Sequence, residues 1–338
     1  MFMRNKITTI ISVIIASSMM LCLSGCSTKT NTQTVAQNKI ILEGTDLHCA
    51  DSKFYGDKVL SSKDGLMTII DYSGKVVKQY DNVHTNWLSA LDDEGVIVYG
   101  NSNCEIGIAR LDSDYNLISN EVIKTADHLM IDPTILKVED TYYITYTDII
   151  GTVNNKDSNV ENGEYIINLL SSTDLSNWTE VGEVVRAKNN LEDADIFFED
   201  GHFNFVYEQE DVDCGNSAIM LRQSLDATGT SWGEPITLLE NDCDHEPAAI
   251  EKLDGDIYRL YYSCDKGTGG SYAEGKVYYA EYDKDFSVIS KDTLVPTVTQ
   301  TGILLYDVKY SDNQVLYLYC KNYFTDNQLF IEEQSFGS

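Results

Sequence analysis

Three carboxylates, each placed just before a short apolar strand, carry the chemistry this sequence suggests. Asp132 opens DPTILKVEDTYYITYT. Glu192 opens EDADIFFEDGHFNFVYE, and Glu246 opens EPAAIEKLDGDIYRLYYS. Carboxyl groups held in different surroundings can divide acid from base work, one protonating a leaving oxygen while another activates water. These three lie far apart in the chain, so only a fold that gathers strand beginnings could make them one site.

The strands they open recur. Each carboxylate leads a short strand, an acidic or glycine turn, an aromatic and β-branched strand, a longer connection and a third strand, the pattern of β-hairpins. Two third strands end in Ser, Asp and Trp: Ser172, Asp174 and Trp178, then Ser224, Asp226 and Trp232. Weaker copies cover residues 52–71, 86–101 and 305–320, the last with QLFIEEQ behind it. No stretch after residue 40 carries a long apolar stripe at helical spacing, so the class is all-β. Repeats of roughly 40 to 60 residues with about four short strands predict a β-propeller. The strand count permits six blades as well as five. Ile40–Leu42 can add a strand to the last blade and close the ring. A two-sheet sandwich is the alternative, but it would not require the repeat. In a propeller the start of each inner strand shares a rim with the connection between strands two and three, here 149–164, 208–215 and 264–275, where binding loops belong.

The chain outside the repeats is of a different kind. Arg4 and Lys6 precede an uncharged apolar run, Ile7 to Leu23, and then Leu23-Ser24-Gly25-Cys26. This is a secretion signal over 1–25. Its end resembles the bacterial lipoprotein box, which implies that Cys26 is lipidated. Residues 26–38 read as a flexible tether, and 39–338 as a single propeller domain. The implied location is the extracellular face of a bacterial cell membrane, with the lipid as the only membrane contact. The formal net charge is −30, from 54 acidic and 24 basic residues, which argues against nucleic acid and anionic lipid as partners. A monomer is expected. Six cysteines follow Cys26 without C-x-x-C spacing, so no zinc site is expected. Disulfides and buried thiols both remain open.

With these residues in hand, the chain resembles the five-bladed propeller glycoside hydrolases of family 43 and the related family 32, over about residues 84 to 263. Five blades is therefore the first expectation and six the alternative. IDPTILKVEDTYYITYT is similar to the motif that bears the family's acid-tuning carboxylate, which implies that role for Asp132. LEDADIFFEDGHFNFVYE is similar to the acid motif and implies Glu192 as general acid, though Ala194 replaces its proline. Glu246, with the same four-residue offset to Ile250, is the rival acid. Family 43 has its base in a first-blade Asp-Pro motif. None precedes Asp132, so Asp46 is the best positional match and Asp51 the second. Trp87 is what remains of a Trp-Ala-Pro segment.

His245 is similar to a channel-facing histidine, and is equally open to a structural hydrogen bond or a channel ion. Trp87, Asp195, His245 and Tyr272 are the expected substrate contacts. Structural packing stands beside that role for the aromatics, and solvation or cation binding for Asp195. The resemblance implies hydrolysis of a carbohydrate containing arabinose, xylose or fructose, with inversion if the family is 43 and retention if it is 32.

No cofactor is required and no metal is assigned to the site. A structural calcium is conceivable at Glu208, Glu210, Asp211 and Asp213, but the spacing lacks the glycine and terminal glutamate of an EF-hand, and a solvated acidic loop is the plainer expectation. A non-catalytic sugar-binding propeller is the other reading, prompted by the missing Asp-Pro motif. A sialidase-like enzyme, prompted by Ser224, Asp226, Gly229, Ser231 and Trp232, lacks arginines for a carboxylate clamp: Arg110, Arg186, Arg222 and Arg259 open no inner strand.

Overall fold

The computed structural model describes residues 37–153, 160–210, 215–253, 255–266, 271–311 and 314–335. Among them are 22 strands and no α-helix, with one 3-10 turn at Asp92–Glu94. The strands are β1 (Gln37–Tyr55), β2 (Lys58–Lys63), β3 (Leu66–Asp71), β4 (Val76–His84), β5 (Trp87–Leu91), β6 (Val96–Asn101), β7 (Glu105–Leu111) and β8 (Leu117–Thr125). There follow β9 (Leu129–Val138), β10 (Thr141–Val153), β11 (Val160–Ser172), β12 (Thr179–Ala187), β13 (Asn190–Glu199), β14 (His202–Glu210), β15 (Ser217–Gln223) and β16 (Ile236–Leu253). The last are β17 (Ile257–Asp265), β18 (Lys276–Tyr282), β19 (Val288–Leu294), β20 (Leu304–Ser311), β21 (Gln314–Lys321) and β22 (Gln328–Ser335).

Two strands serve twice. The first half of β1 pairs with β22 and its second half with β2. Likewise β16 pairs first with β15 and then with β17. Divided at these points, the described strands make six antiparallel four-stranded sheets: the second half of β1 with β2–β4, β5–β8, β9–β12, β13–β15 with the first half of β16, its second half with β17–β19, and β20–β22 with the first half of β1. Their inner strands β1, β5, β9, β13, β16 and β20 touch in cyclic order, and β20 returns to β1. The expected closure by Ile40–Leu42 is thus present. The count of sheets is six, where the family resemblance led to five.

The core follows the same division. Buried apolar side chains fall into six clusters, each between neighbouring sheets, such as Leu60, Met67, Leu88 and Ile97 between the first and second, or Leu42, Leu318, Val59 and Ile70 between the last and first. A sheet covered on both faces has no polar side, which is why β6, VIVYGN, is buried throughout. Within the expected loop 149–164, residues 149–153 and 160–164 instead extend the β10–β11 hairpin, as far as Val153 opposite Val160; 154–159 lie outside the described residues. Ser224 and Trp232 form a bridge, and Asp174 and Asp226 accept backbone N–H groups of the turns that follow them. Those serine–aspartate–tryptophan segments are turn structure. Cys243 and Cys264 form a disulfide, while Cys49 and Cys320 are buried thiols.

Candidate active site

One local device recurs where the inner strands face the axis. Pairing slips between Cys49 and Ser52 in β1, around Asp132–Pro133 in β9, between Glu192 and Asp195 in β13, between Pro247 and Ala249 in β16, and between Leu305 and Asp307 in β20. Such bulges place extra residues opposite the partner strand and re-aim side chains. In β9 the bulge accommodates Pro133, which cannot donate to the ladder. Asp132 there has φ 48°, a left-handed conformation that Asp tolerates better than most residues.

The bulges open on a shared axial cavity of about 320 Å³. Asp51 and Lys53 of β1, Trp87 of β5, Asp132 of β9, Glu192 and Asp195 of β13, Glu246 and Glu251 of β16, and Asp307 of β20 all line it, with Tyr323 at its edge. Sequence reasoning therefore identified Asp132, Glu192, Glu246, Trp87 and Asp195 as residues that the fold brings together. Asp46 is a correction. It is exposed, at the irregularity between Gly44 and His48 where β1 leaves the last sheet for the first, and it is not on the cavity wall. Asp51, in the bulge of the same strand, is the first-sheet carboxylate that faces the axis. The error came from β1 serving two sheets, which shifts the start of the first inner strand several residues onward.

Seven carboxylates and one lysine among the described residues line this wall, so burial and mutual repulsion oppose ionisation. Burial raises Asp51, against the pull of Lys53 and backbone N–H groups; Leu88 N–H donates to its Oδ2 at 2.8 Å. Lys53 Nζ donates to the Tyr306 carbonyl at 2.9 Å. Asp195 is open to the cavity, yet the surrounding protein raises it as well. Two carboxylates that sequence reasoning missed are raised as well. Asp307 is pushed up to about 6, by burial and also by Asp195, against the pull of Lys53. Glu251 is pushed up to about 7 by burial, then by Asp307 and Asp195. The strand alternation of AAIEKL and LLYDVKY was the available signal, since Glu251 and Asp307 fall on the inward side only after a bulge is counted.

The folded chain keeps protons on these two groups that the unfolded chain releases. Their stabilising contribution is thus complete below about pH 4 and is lost as pH rises through about 6 to 7. Glu251→Gln is expected to raise stability by about 1–3 kcal/mol at pH 8 and to change it little at pH 4.5, as read from thermal unfolding at both values.

Two expected substrate contacts are corrected. His245 is 2% exposed and does not line the cavity. Its Nδ1 lies 2.8 Å from the Ser217 carbonyl, and its backbone N–H donates to Ser217 Oγ; burial lowers its pKa. It is a structural hydrogen-bonder, because its strand turns it between sheets. Tyr272 is 4% exposed. Its hydroxyl meets Asp244 and Glu246 rather than the cavity. Behind the wall Asn190 Nδ2 donates to Glu192 Oε1 at 2.6 Å and to Glu210 Oε2 at 2.7 Å.

Glu208 and Glu210 also correct an expectation. They are buried at the end of β14, not a solvated loop; Asp211 and Asp213 lie outside the described residues. Glu208, Glu210 and Asp244 bring carboxylate oxygens within 4.8 Å of one another. Protein donors reach this group, Asn190 at Glu210 and Tyr272 at Asp244, and we read it as a hydrogen-bonded network. Cys243, His245 and Cys264 also lie together, but the two sulfurs are bonded to each other.

The sequence profile of the glycosyl hydrolases family 43 matches residues 118–320. The chain belongs to glycosyl hydrolase family 43. The match includes Asp132, Glu192 and Glu246 and begins after the sheet that bears Asp51. No curated protein matches in sequence. Among similar solved structures is the β-1,2-mannobiose phosphorylase from Listeria innocua, 14% identical over 88% of this chain and 91% of that one, with a TM-score of 0.49. The family 43 endo-arabinanase from Bacillus licheniformis is 13% identical over 73% of this chain and 92% of its own, at 0.48. The native arabinanase from Bacillus subtilis is 14% identical over 73% and 92%, at 0.47.

Proposed function

We propose that this family 43 chain hydrolyses glycosidic bonds in plant-type polysaccharides or oligosaccharides that contain arabinose, xylose or fructose, held at the outer face of a bacterial membrane by a lipid on Cys26. The observation that carries the reading is the meeting of Asp51, Asp132, Glu192 and Glu246 on one cavity. Glycoside hydrolysis needs a protonated carboxyl beside the leaving oxygen and an ionised one beside the attacking water. Asp51 is the base; burial raises it, and Lys53 and the Leu88 N–H act against that rise in favour of its charge. Glu192 or Glu246 supplies the proton. Asp132 adds the negative field that raises an acid's pKa, and Trp87 offers a face to a sugar ring.

The test is an assay of the secreted domain on arabinan, arabinoxylan, xylan and fructan oligosaccharides, with the product anomer followed by NMR. Cleavage with inversion is expected, and loss of activity in Glu192→Gln or Glu246→Gln separates the two acids. A second reading, a sugar-binding propeller without catalysis, draws on the family match beginning after Asp51. Sugar binding without cleavage of any substrate would favour it. Release of the protein from membranes by Cys26→Ala would support the anchor.

A further inference from the structure

A second groove lies beside the catalytic cavity. It has a volume of about 240 Å³ and sits at the joint where the last sheet meets the first. One wall is the connection between β21 and β22, with Phe324 and Thr325. The other is His48 and Ala50 of β1 with Asp64 of the β2–β3 turn. Both turns join the second and third strands of their sheets, so they share the rim at which the inner strands begin. The groove is continuous with the cavity. Ala50 lines both, while Tyr323 lines the cavity and Phe324 the groove. The rings of these two neighbours lie 4.1 Å apart at 38°.

Phe324 is held out of the protein. It is 64% exposed and has φ 63°, in the left-handed region that a bulky side chain rarely adopts. Asn322 and Asn327 on either side also have positive φ, which asparagine tolerates. The Asn322 carbonyl closes the turn. It accepts the N–H groups of Thr325 at 3.0 Å, Asp326 at 2.9 Å and Asn327 at 3.1 Å, and the Thr325 hydroxyl at 2.8 Å. A strained backbone that presents a ring to solvent gains little from packing, and such outliers concentrate where a ligand is held.

The other side of the groove suits hydroxyl groups. His48 Nδ1 lies 2.7 Å from the Asp326 carbonyl. A carbonyl only accepts, so Nδ1 carries the proton, and in the neutral ring Nε2 is left as an acceptor. The Asp64 carboxylate is a second acceptor. An aromatic face opposite acceptors matches a sugar ring, which has C–H faces and hydroxyl donors at its edge. Asp64 and Asp326 line the groove, and among the described residues no lysine or arginine does, so an acidic sugar is disfavoured.

We propose that this groove is a subsite for a further, neutral sugar unit of the oligosaccharide held in the cavity. Phe324 is its stacking platform, and His48 and Asp64 bond its hydroxyls. The proposal rests on the carbohydrate substrate proposed above but not on its cleavage. Its consequence is a preference for long over short chains, because a disaccharide held at the axial carboxylates leaves the groove empty and a longer chain fills both.

The experiment measures kcat/KM from disaccharide to hexasaccharide of whichever sugar is cleaved, for the unaltered chain, Phe324→Asn and Phe324→Trp. Asparagine accepts the left-handed backbone and removes the platform, whereas tryptophan keeps it. The value for the unaltered chain is expected to rise with length. In Phe324→Asn the ratio of hexasaccharide to disaccharide should fall by about three- to tenfold, the worth of one aromatic contact, through KM rather than kcat. Phe324→Trp should keep most of that ratio. No gain with length in the unaltered chain, or an unchanged ratio in Phe324→Asn, would overturn the subsite while leaving the hydrolase reading intact.

If no sugar is cleaved, calorimetric titration with the hexasaccharides of arabinan, xylan and fructan takes the place of kinetics. Binding weakened about three- to tenfold by Phe324→Asn would support the subsite although the hydrolase reading had failed. No binding of these sugars by the unaltered chain, or equal binding by the variant, would overturn it.

Discussion

Asp51→Asn is expected to lower kcat/KM on a cleaved oligosaccharide by roughly 10²–10⁴-fold, the usual contribution of a general base, while Asp46→Asn stays within about twofold. The two aspartates lie on one strand, so the comparison isolates position from charge. Asp51 sits in the bulge between Cys49 and Ser52 and lines the cavity. It accepts the Leu88 N–H at 2.8 Å and feels Lys53. Asparagine keeps the shape and loses the ability to take a proton from water. Asp46 is exposed where β1 changes sheets, and its removal leaves the cavity charge intact. Steady-state kinetics on both variants decide the matter. Near-normal turnover in Asp51→Asn would remove it as base, and a large loss in Asp46→Asn would return the role to the residue that sequence position first suggested.

Removing the chain up to Glu43, so that it begins at Gly44, is expected to lower the thermal midpoint by roughly 10 °C or more relative to a chain beginning at Gln37. The first half of β1 pairs with β22 from Gln37 opposite Ser335 to Gly44 opposite Leu329. Leu42 is buried in that half, in the cluster with Leu304, Leu318, Leu329 and Ile331. Loss of one such leucine costs about 2–5 kcal/mol, and β22 becomes an open edge able to pair with other chains. Each kcal/mol shifts the midpoint of a domain somewhat smaller than this by about 2–4 °C. Calorimetry of the two chains measures the difference, and a shift under about 3 °C would mean that the ring does not depend on this strand. The same strand carries Asp51 seven positions beyond Gly44, so activity should fall with stability.

Much of the site was legible because its residues mark their strands. Asp132 before Pro133 and Glu192 and Glu246 before apolar strands repeat at the spacing of the sheets, and in the structure Asp132 and Glu192 lie near the start of β9 and β13, and Glu246 where β16 passes from one sheet to the next. Tyr272 and His245 were legible as neighbours of the site but not as to side. For His245 a strand's alternation assigns two faces, and in a ring of sheets both are buried; Tyr272 lies in the connection between β17 and β18, where no alternation assigns a side. Burial then turned His245 to the Ser217 carbonyl and Tyr272 to Asp244 and Glu246. Asp51 was hidden by the absence of a proline and by a strand shared between two sheets.

The sequence by itself determined the all-β class, the repeat, the closing of the ring by residues near 40, and four of the carboxylates that face the axis. These are local properties: strand alternation, turn chemistry and the period of the repeat do not depend on distant contacts. The tertiary structure alone decided that six sheets close the ring, that Asp51 rather than Asp46 reaches the cavity, that Glu251 and Asp307 join it, and that Tyr272 links two carboxyl groups. Those outcomes depend on bulges and on which sheet claims each half of a shared strand, and a bulge that moves the register by one residue sends a side chain to the opposite face.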